Sequence, residues 1–329
     1  MKLEQARRCI YRAACAIFFA AAAVSSTAIA QQYPSKPVTV YVGYPPGGST
    51  DLSTRIVAGK LGRALGQAFV VVNKPGAAGN IALAQVAKAP PDGYTLVHGY
   101  VGTMSINPSL YGPKLPYDPV KDFVAIAPVA SVPMFLVVPP SLGVRTLKDF
   151  VALAKSKPGT LTFGTAGSGS TQQLGAEMFK ASAGIDARAI PFGGSGPANI
   201  ALLGGIIDFM FDAGQVMQQA KAGNVVALAT TAGKRLSNLP DLPTVAETYP
   251  GFEATSWHGL FAPAGTPKAV VDLLNAKLVE ILAEPDTQQK LAEAQMTPVS
   301  MSPAAFAQFI HAETIKWSKV VKSAGITLD

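Results

Sequence analysis

The sequence predicts an α/β protein of two lobes, each a mostly parallel sheet flanked by helices, with a ligand cleft between them. Two observations predict it. Short β-branched runs alternate with stretches of helical periodicity, which calls for strands joined by helices packed on the sheet faces. The series then starts afresh after a proline-rich passage, NPSLYGPKLPYDPVKDF, at residues 107–123. About 300 residues beyond the N-terminal segment also exceed what one core usually holds.

The first series opens with VTVYV, Val38 to Val42, a short β-branched strand that ends in a Gly/Pro cluster. A helix follows from Asp51, where Leu52, Ile56, Leu61 and Leu65 recur at near-helical spacing and Ser49, Thr50 and Asp51 offer capping chemistry. Phe69 to Val72 is the next strand, Ile81 to Lys88 the next helix, and YTLVHGY the next strand. The second series comprises strand Met134 to Val138, helix Leu147 to Ala154, strand LTFGTA, helix Gln172 to Ala183, strand Ala187 to Pro191 and helix Pro197 to Leu203. Strands Ile207 to Phe211 and Val225 to Thr230 complete it. Trp257 to Ala262 reads as a strand that crosses back, and the chain from Pro267 onward is almost wholly helical. The expected division is therefore a discontinuous first domain, 31–130 plus 255–329, and a second domain, 131–254. Hinge strands are expected around Pro128 to Pro133 and Pro250 to Thr255.

The N-terminus carries Lys2, Arg7, Arg8 and Arg12 against a single Glu4, then the apolar stretch Ala13 to Val24, then Ala28-Ile29-Ala30. This is the layout of an export signal, residues 1–30, cleaved near Ala30, with an apolar region too short to span a bilayer. The pair Arg7-Arg8 faintly resembles a twin-arginine signal and leaves the export route open. Both cysteines, Cys9 and Cys15, lie in this segment, so the mature chain is expected to rely on its core alone and to use neither thiolate catalysis nor a cysteine-ligated metal. The chain's net charge of +7 includes 4 basic and 1 acidic residue from the signal, which leaves 23 basic minus 19 acidic, or +4. No basic run interleaved with aromatics suggests a nucleic-acid surface.

In an open parallel sheet the ligand sits beyond the carboxyl ends of the strands. Four strand-to-helix loops there are rich in Gly, Ser and Thr and contain no Lys or Arg: YPPGGSTD, HGYVGT, GTAGSGST and PFGGSGP. Glycine lets the backbone approach a ligand closely, and loops that open helices present free N–H groups at the positive end of the dipole, so they favour anions. The candidate ligand-binding residues are Tyr44, Pro46, Gly47, Gly48, Ser49, Thr50 and Asp51 in the first loop, and Tyr100, Gly102 and Thr103 in the second. The third and fourth loops add Thr165, Ala166, Gly167, Ser168, Ser170, Phe192, Gly193 and Gly194. Asp212 is a further hydrogen-bonding pocket residue, while Asp208 reads as a turn cap. Trp257 is either a cleft wall or core packing, and His98 either touches ligand or is structural.

Catalytic and cofactor chemistries find no matching motif. The chain has no G-x-x-x-x-G-K-[ST], no G-x-S-x-G and no dinucleotide fingerprint at its first βα turn. His98, His258 and His311 are scattered, with no H-E-x-x-H. No catalytic residue, metal or cofactor is expected.

The stretches YPPGGSTD, NKPGAAGNIAL, PPDGYTL, LPYDPVKDF, ALLGGIIDFMF, LPTVAE and WHGLFAPAGTP occur in one order over essentially the whole mature chain. They resemble the Bug/TctC family of substrate-binding proteins of tripartite tricarboxylate transporters. The resemblance implies a two-domain, type II-like periplasmic binding protein that closes on a small carboxylate through loop amides, Ser/Thr hydroxyls and bridging waters. It also implies delivery to the membrane permease subunits of such a transporter, by a monomer; a co-receptor for a membrane sensor of carboxylates is the alternative. Phe192-Gly193-Gly194 and Gln173 depart from the residues that relatives often carry there, Tyr-Lys-Gly and His, which bears on ligand identity.

Overall fold

The computed structural model describes residues 33–167, 169–214, 216–236 and 238–323. The export segment and both cysteines lie outside the described residues. Residues Lys36–Asp329 form one compact unit, built around two sheets.

The first half begins with β1 (Val38–Val42), α1 (Ser49–Leu65), β2 (Phe69–Asn73), α2 (Asn80–Val86) and β3 (Thr95–Tyr100). A single π turn (Gly102–Ile106) runs into α3 (Asn107–Tyr111), and β4 (Phe123–Val132) follows. The second half contains β5 (Phe135–Val138), α4 (Leu147–Ser156), β6 (Thr162–Thr165), α5 (Thr171–Ala183), β7 (Arg188–Pro191) and α6 (Ser195–Leu203). It continues with β8 (Phe209–Asp212), α7 (Val216–Lys221), β9 (Val226–Thr230) and α8 (Val245–Thr248). The chain returns in β10 (Ser256–Pro263) and ends with α9 (Lys268–Ala283), α10 (Pro285–Glu293), the two-residue β11 (Thr297–Pro298) and α11 (Pro303–Ser323).

Six strands form the first sheet in the order β11-β4-β10-β3-β1-β2, and five form the second in the order β7-β6-β8-β5-β9. The expectation of mostly parallel sheets needs correction: both are mixed. β1 pairs in parallel with β2 and β3, and β6 with β7 and β8. The strands adjoining the crossings run antiparallel: β10 against β3 and β4, and β5 against β8 and β9. The reason is connectivity. These strands enter each half from the other one, so no crossover helix forces a parallel neighbour.

β4 is the strand the sequence hid. Its Pro128 argues against a central strand, since proline cannot donate to a ladder. Here Pro128 faces Gly259 beside a register shift between His258 and Gly259, so an irregularity absorbs the missing donor. The chain passes between the two sheets at two crossings, first in the short link between Val132 and Phe135, and again in the longer segment between Thr230 and Ser256, which contains α8. Thr231 stitches them together: its N–H donates to the Met134 carbonyl at 2.8 Å, its hydroxyl donates to the Ala254 carbonyl at 2.9 Å, and it accepts the Met134 N–H at 2.9 Å.

The C-terminal helices pack on the first sheet. Phe306 covers Gly259, where an added Cβ would stand 2.5 Å from the Phe306 ring. Trp257 meets Phe306 edge-on at 5.4 Å and Phe309 at 5.8 Å. Trp257 is therefore core packing. A second aromatic cluster, Phe150, Phe163, Phe179, Phe209 and Phe211, fills the other half.

Candidate ligand cleft

Three helices point their N-termini at one cavity between the two halves: α1, α5 and α6. The lining includes Gly48, Ser49 and Thr50 from the first, Thr171 and Gln172 from the second, and Gly194, Ser195 and Gly196 from the third. Gly48 and Gly194 provide no side-chain cap, so amides of the first turns keep their hydrogen-bonding capacity for a ligand. Only α5 is capped from its own side chain, by Ser170 accepting from the Gln173 N–H. No Lys or Arg is among the lining residues of the cavity.

The two walls touch. Gly194 has φ +145°, a conformation that favours glycine, and an added Cβ there would lie 3.2 Å from Pro45 Cδ. At Gly214 an added Cβ would fall 2.1 Å from the Ala294 carbonyl oxygen, and at Gly169 2.9 Å from Asn107 Oδ1. Glycines on the second half thus let it close tightly on the first.

Of the predicted residues, Tyr44, Pro46, Gly48, Ser49, Thr50, Tyr100, Ala166 and Gly194 line this cavity. Tyr44 and Tyr100 join hydroxyls at 2.6 Å, and burial pushes both phenols above the usual range. Gly167, Phe192 and Gly193 line a neighbouring recess instead, which Tyr44 and Ala166 share with the main cavity. The remaining predicted residues support the walls from behind. Thr103 Oγ1 accepts from the Tyr100 N–H, and Gly102 leaves room for the Tyr100 ring, since a Cβ there would meet it at 2.4 Å. The Thr165 hydroxyl accepts from the Gly167 N–H. Ser168 lies outside the described residues.

Asp51 braces the first wall. It accepts from the Gly47 N–H at 3.1 Å, from Arg55 Nε at 3.0 Å and from Asn73 Nδ2 at 2.8 Å. Burial pushes its carboxyl up, but hydrogen bonds from Arg55, Asn73 and Gly47 outweigh that, and the net shift is below the usual range. Asp212, at the end of β8, is almost wholly buried; its Oδ2 accepts from Asn199 Nδ2 at 2.5 Å, and its Oδ1 has no partner. Burial raises its carboxyl to about 6, against the pull of Asn199, the Ala213 N–H, Ser195 and Gln172. Asp208 receives the Thr162 N–H at 2.7 Å and its hydroxyl at 2.9 Å, as a cap.

Sequence reasoning missed part of the lining: Pro45, Val132, Met134, Thr171, Gln172, Ser195 to Pro197, Ala213, Ser256 and His258. The capping pattern at the starts of α5 and α6 carried a signal for Thr171 and Ser195. Ser256 and His258 carried none, because they lie at the beginning of a strand. β10 is antiparallel to β3 and sets His258 opposite Tyr100, so its start, not its end, reaches the cavity. His98 does not line the cavity; burial lowers its imidazole to about 3. Among the described residues no group of three or more His, Cys, Asp or Glu could hold a metal ion, and no helix is long and apolar enough to cross a membrane.

Residues 53–326 match the model of the tripartite tricarboxylate transporter family receptor, TctC. The chain belongs to this family. Within it, BugT of Bordetella pertussis is 36% identical over 315 residues, covering 95% of this chain and 96% of that protein. Among solved structures, R. palustris Rpa4515 with adipate is 37% identical with a TM-score of 0.87, covering 90% of this chain and 99% of that one. MatC from Rhodopseudomonas palustris with bound malate is 33% identical with a TM-score of 0.83, covering 88% and 100%. The TctC fold of this chain is thus that of periplasmic binding proteins, and the family's role is solute binding in transport rather than catalysis.

Proposed function

We propose that this TctC receptor captures a small carboxylate in the cleft between its two lobes and delivers it to the membrane permease subunits of a tripartite tricarboxylate transporter. The carrying observation is the convergence of three helix N-termini on a cavity whose lining has no basic side chain. A carboxylate there accepts from amides of Ser49, Thr50, Thr171, Gln172, Ser195 and Gly196 and from neighbouring hydroxyls. Each charge-assisted bond contributes ~1.5–3 kcal/mol net, so a handful of them reaches the roughly 8 kcal/mol of micromolar binding. Adipate and malate in the two structural relatives support the ligand class.

The lobes in this reading are residues 31–130 plus 255–329, and 131–254, hinged at the crossings beside Thr231. The export signal ends near Ala30 and delivers a monomer to the periplasm. Mass spectrometry of small molecules released on denaturing the protein, purified without added ligand, tests this directly. An organic acid at near-stoichiometric yield is expected. If no organic acid is released, and no di- or tricarboxylate, amino acid or aromatic acid raises Tm, the reading is wrong; a ligand at one hundred times its Kd adds ~2.7 kcal/mol.

A further inference from the structure

We propose that His258 selects ligands that carry a hydrogen-bond donor, an O–H or N–H, beside the carboxylate. The proposal rests on the carboxylate reading of the same cavity and adds what its floor demands.

His258 and Ser256 lie two residues apart on β10 and so face the same side. Both line the cavity, and both are more than nine-tenths buried. His258 Nδ1 lies 2.9 Å from Ser53 Oγ. The Thr50 carbonyl can only accept, and the Ser53 hydroxyl lies 3.2 Å from it. With the Ser53 proton assigned to that carbonyl, Ser53 accepts from His258 Nδ1–H and Nε2 is left as an acceptor. The ring stays neutral: burial holds its pKa well below the usual histidine range, and the adjacent His98, edge-on at 4.7 Å, lowers it further. Beside it, the buried Ser256 hydroxyl has no partner.

The walls of the cavity are therefore donors, and its floor contains an acceptor. A bare dicarboxylate supplies acceptors and methylenes only, so it satisfies the walls and leaves Nε2 unpaired. A hydroxyl or ammonium beside the carboxylate satisfies both. Sites built around a buried hydrogen-bonding group discriminate strongly against analogues that lack its partner.

The test is calorimetric titration of the mature protein with two matched sets: malate, aspartate and succinate, then 2-hydroxyglutarate, glutamate and glutarate. A hydroxyl or ammonium member is expected to bind at least about tenfold more tightly than the bare diacid of its set. Its identity tells which donor the floor accepts. In His258→Leu that ratio should fall to within about threefold of unity, with circular dichroism and Tm reporting the fold. Ser53→Ala, which releases the tautomer, should narrow the ratio too and serves if His258→Leu does not fold. A bare diacid that binds wild type as tightly as its partners overturns the proposal, as does a ratio unchanged in the variants. If no member of either set binds wild type, this inference fails, while the carboxylate reading is judged separately by the released organic acid and the Tm screen.

Discussion

The two walls of the cleft each hold a buried aspartate, and the two have opposite fates. Asp51 in the first wall is ringed by donors from Gly47, Arg55 and Asn73, and its pKa lies below the usual range. Asp212 in the second wall has one close donor, Asn199, an unpartnered Oδ1, and a pKa raised to about 6. The same residue type stabilises one wall and strains the other, because hydrogen bonds to the charged form offset burial at one site and fall short at the other. The first wall is thus a braced anchor, and the second is the half whose electrostatics remain to be completed.

The largest expected effect comes from adding charge where the walls meet. Ser195→Asp places a carboxylate at the first residue of α6, where the helix dipole favours it, so folding should be preserved. Its charge opposes the ligand's, and the expected loss of carboxylate affinity is on the order of 4 kcal/mol, about a thousandfold. Ser195→Asn, without the charge, should stay within about tenfold by calorimetry. Equal losses in both would show that shape rather than anion recognition governs this wall.

Asp51→Ala should lower unfolding stability by about 3 kcal/mol in urea denaturation, since it strands three donors at once. A loss below about 0.5 kcal/mol, the range of ordinary surface substitutions, would mean that the first wall needs no brace.

Asp212 makes the contrast visible in pH. Its folded pKa of about 6 exceeds the unfolded value of 3.8, so the folded state holds the proton more tightly between these values. As pH falls from 7 to 4, wild type should gain about 2–3 kcal/mol relative to Asp212→Asn. A flat difference, or one of opposite sign, would place a well-paired carboxylate at 212.

The smallest effect concerns closure. Gly214→Ala puts a Cβ against the Ala294 carbonyl in the closed arrangement, which disfavours closure more than folding. Ligand affinity should fall about tenfold, ~1.4 kcal/mol, while unliganded stability changes little. Unchanged affinity would remove Gly214 from the closing contact.

Much of this fold was legible in the sequence. VTVYV marks β1 with its bounds, and the Gly/Ser/Thr loops mark the starts of α1, α5 and α6. What stayed hidden has physical causes. Pro128 disguised β4, because a proline in a central strand is normally excluded and only the local register shift admits it. Gly102 and Thr103 looked like pocket residues because they follow a parallel strand, yet the chain turns at once into a π turn and only Tyr100 reaches the cavity. Ser256 and His258 were missed for the converse reason: strand direction decides which end of β10 meets the cleft, and direction depends on pairing, which a single sequence does not display. Asp212 reads as a polar pocket residue, but the unpartnered Oδ1 and the raised pKa depend on how Asn199, Gln172 and Ser195 pack around it.

The most direct test of anion capture by amides is calorimetric titration of the mature protein with its released carboxylate and with the corresponding neutral amide. Micromolar or tighter binding of the acid is expected, with the amide weaker by at least about a hundredfold, near 2.7 kcal/mol, the share of one or two lost charge-assisted bonds. Equal binding of acid and amide would contradict the role assigned to the three helix N-termini.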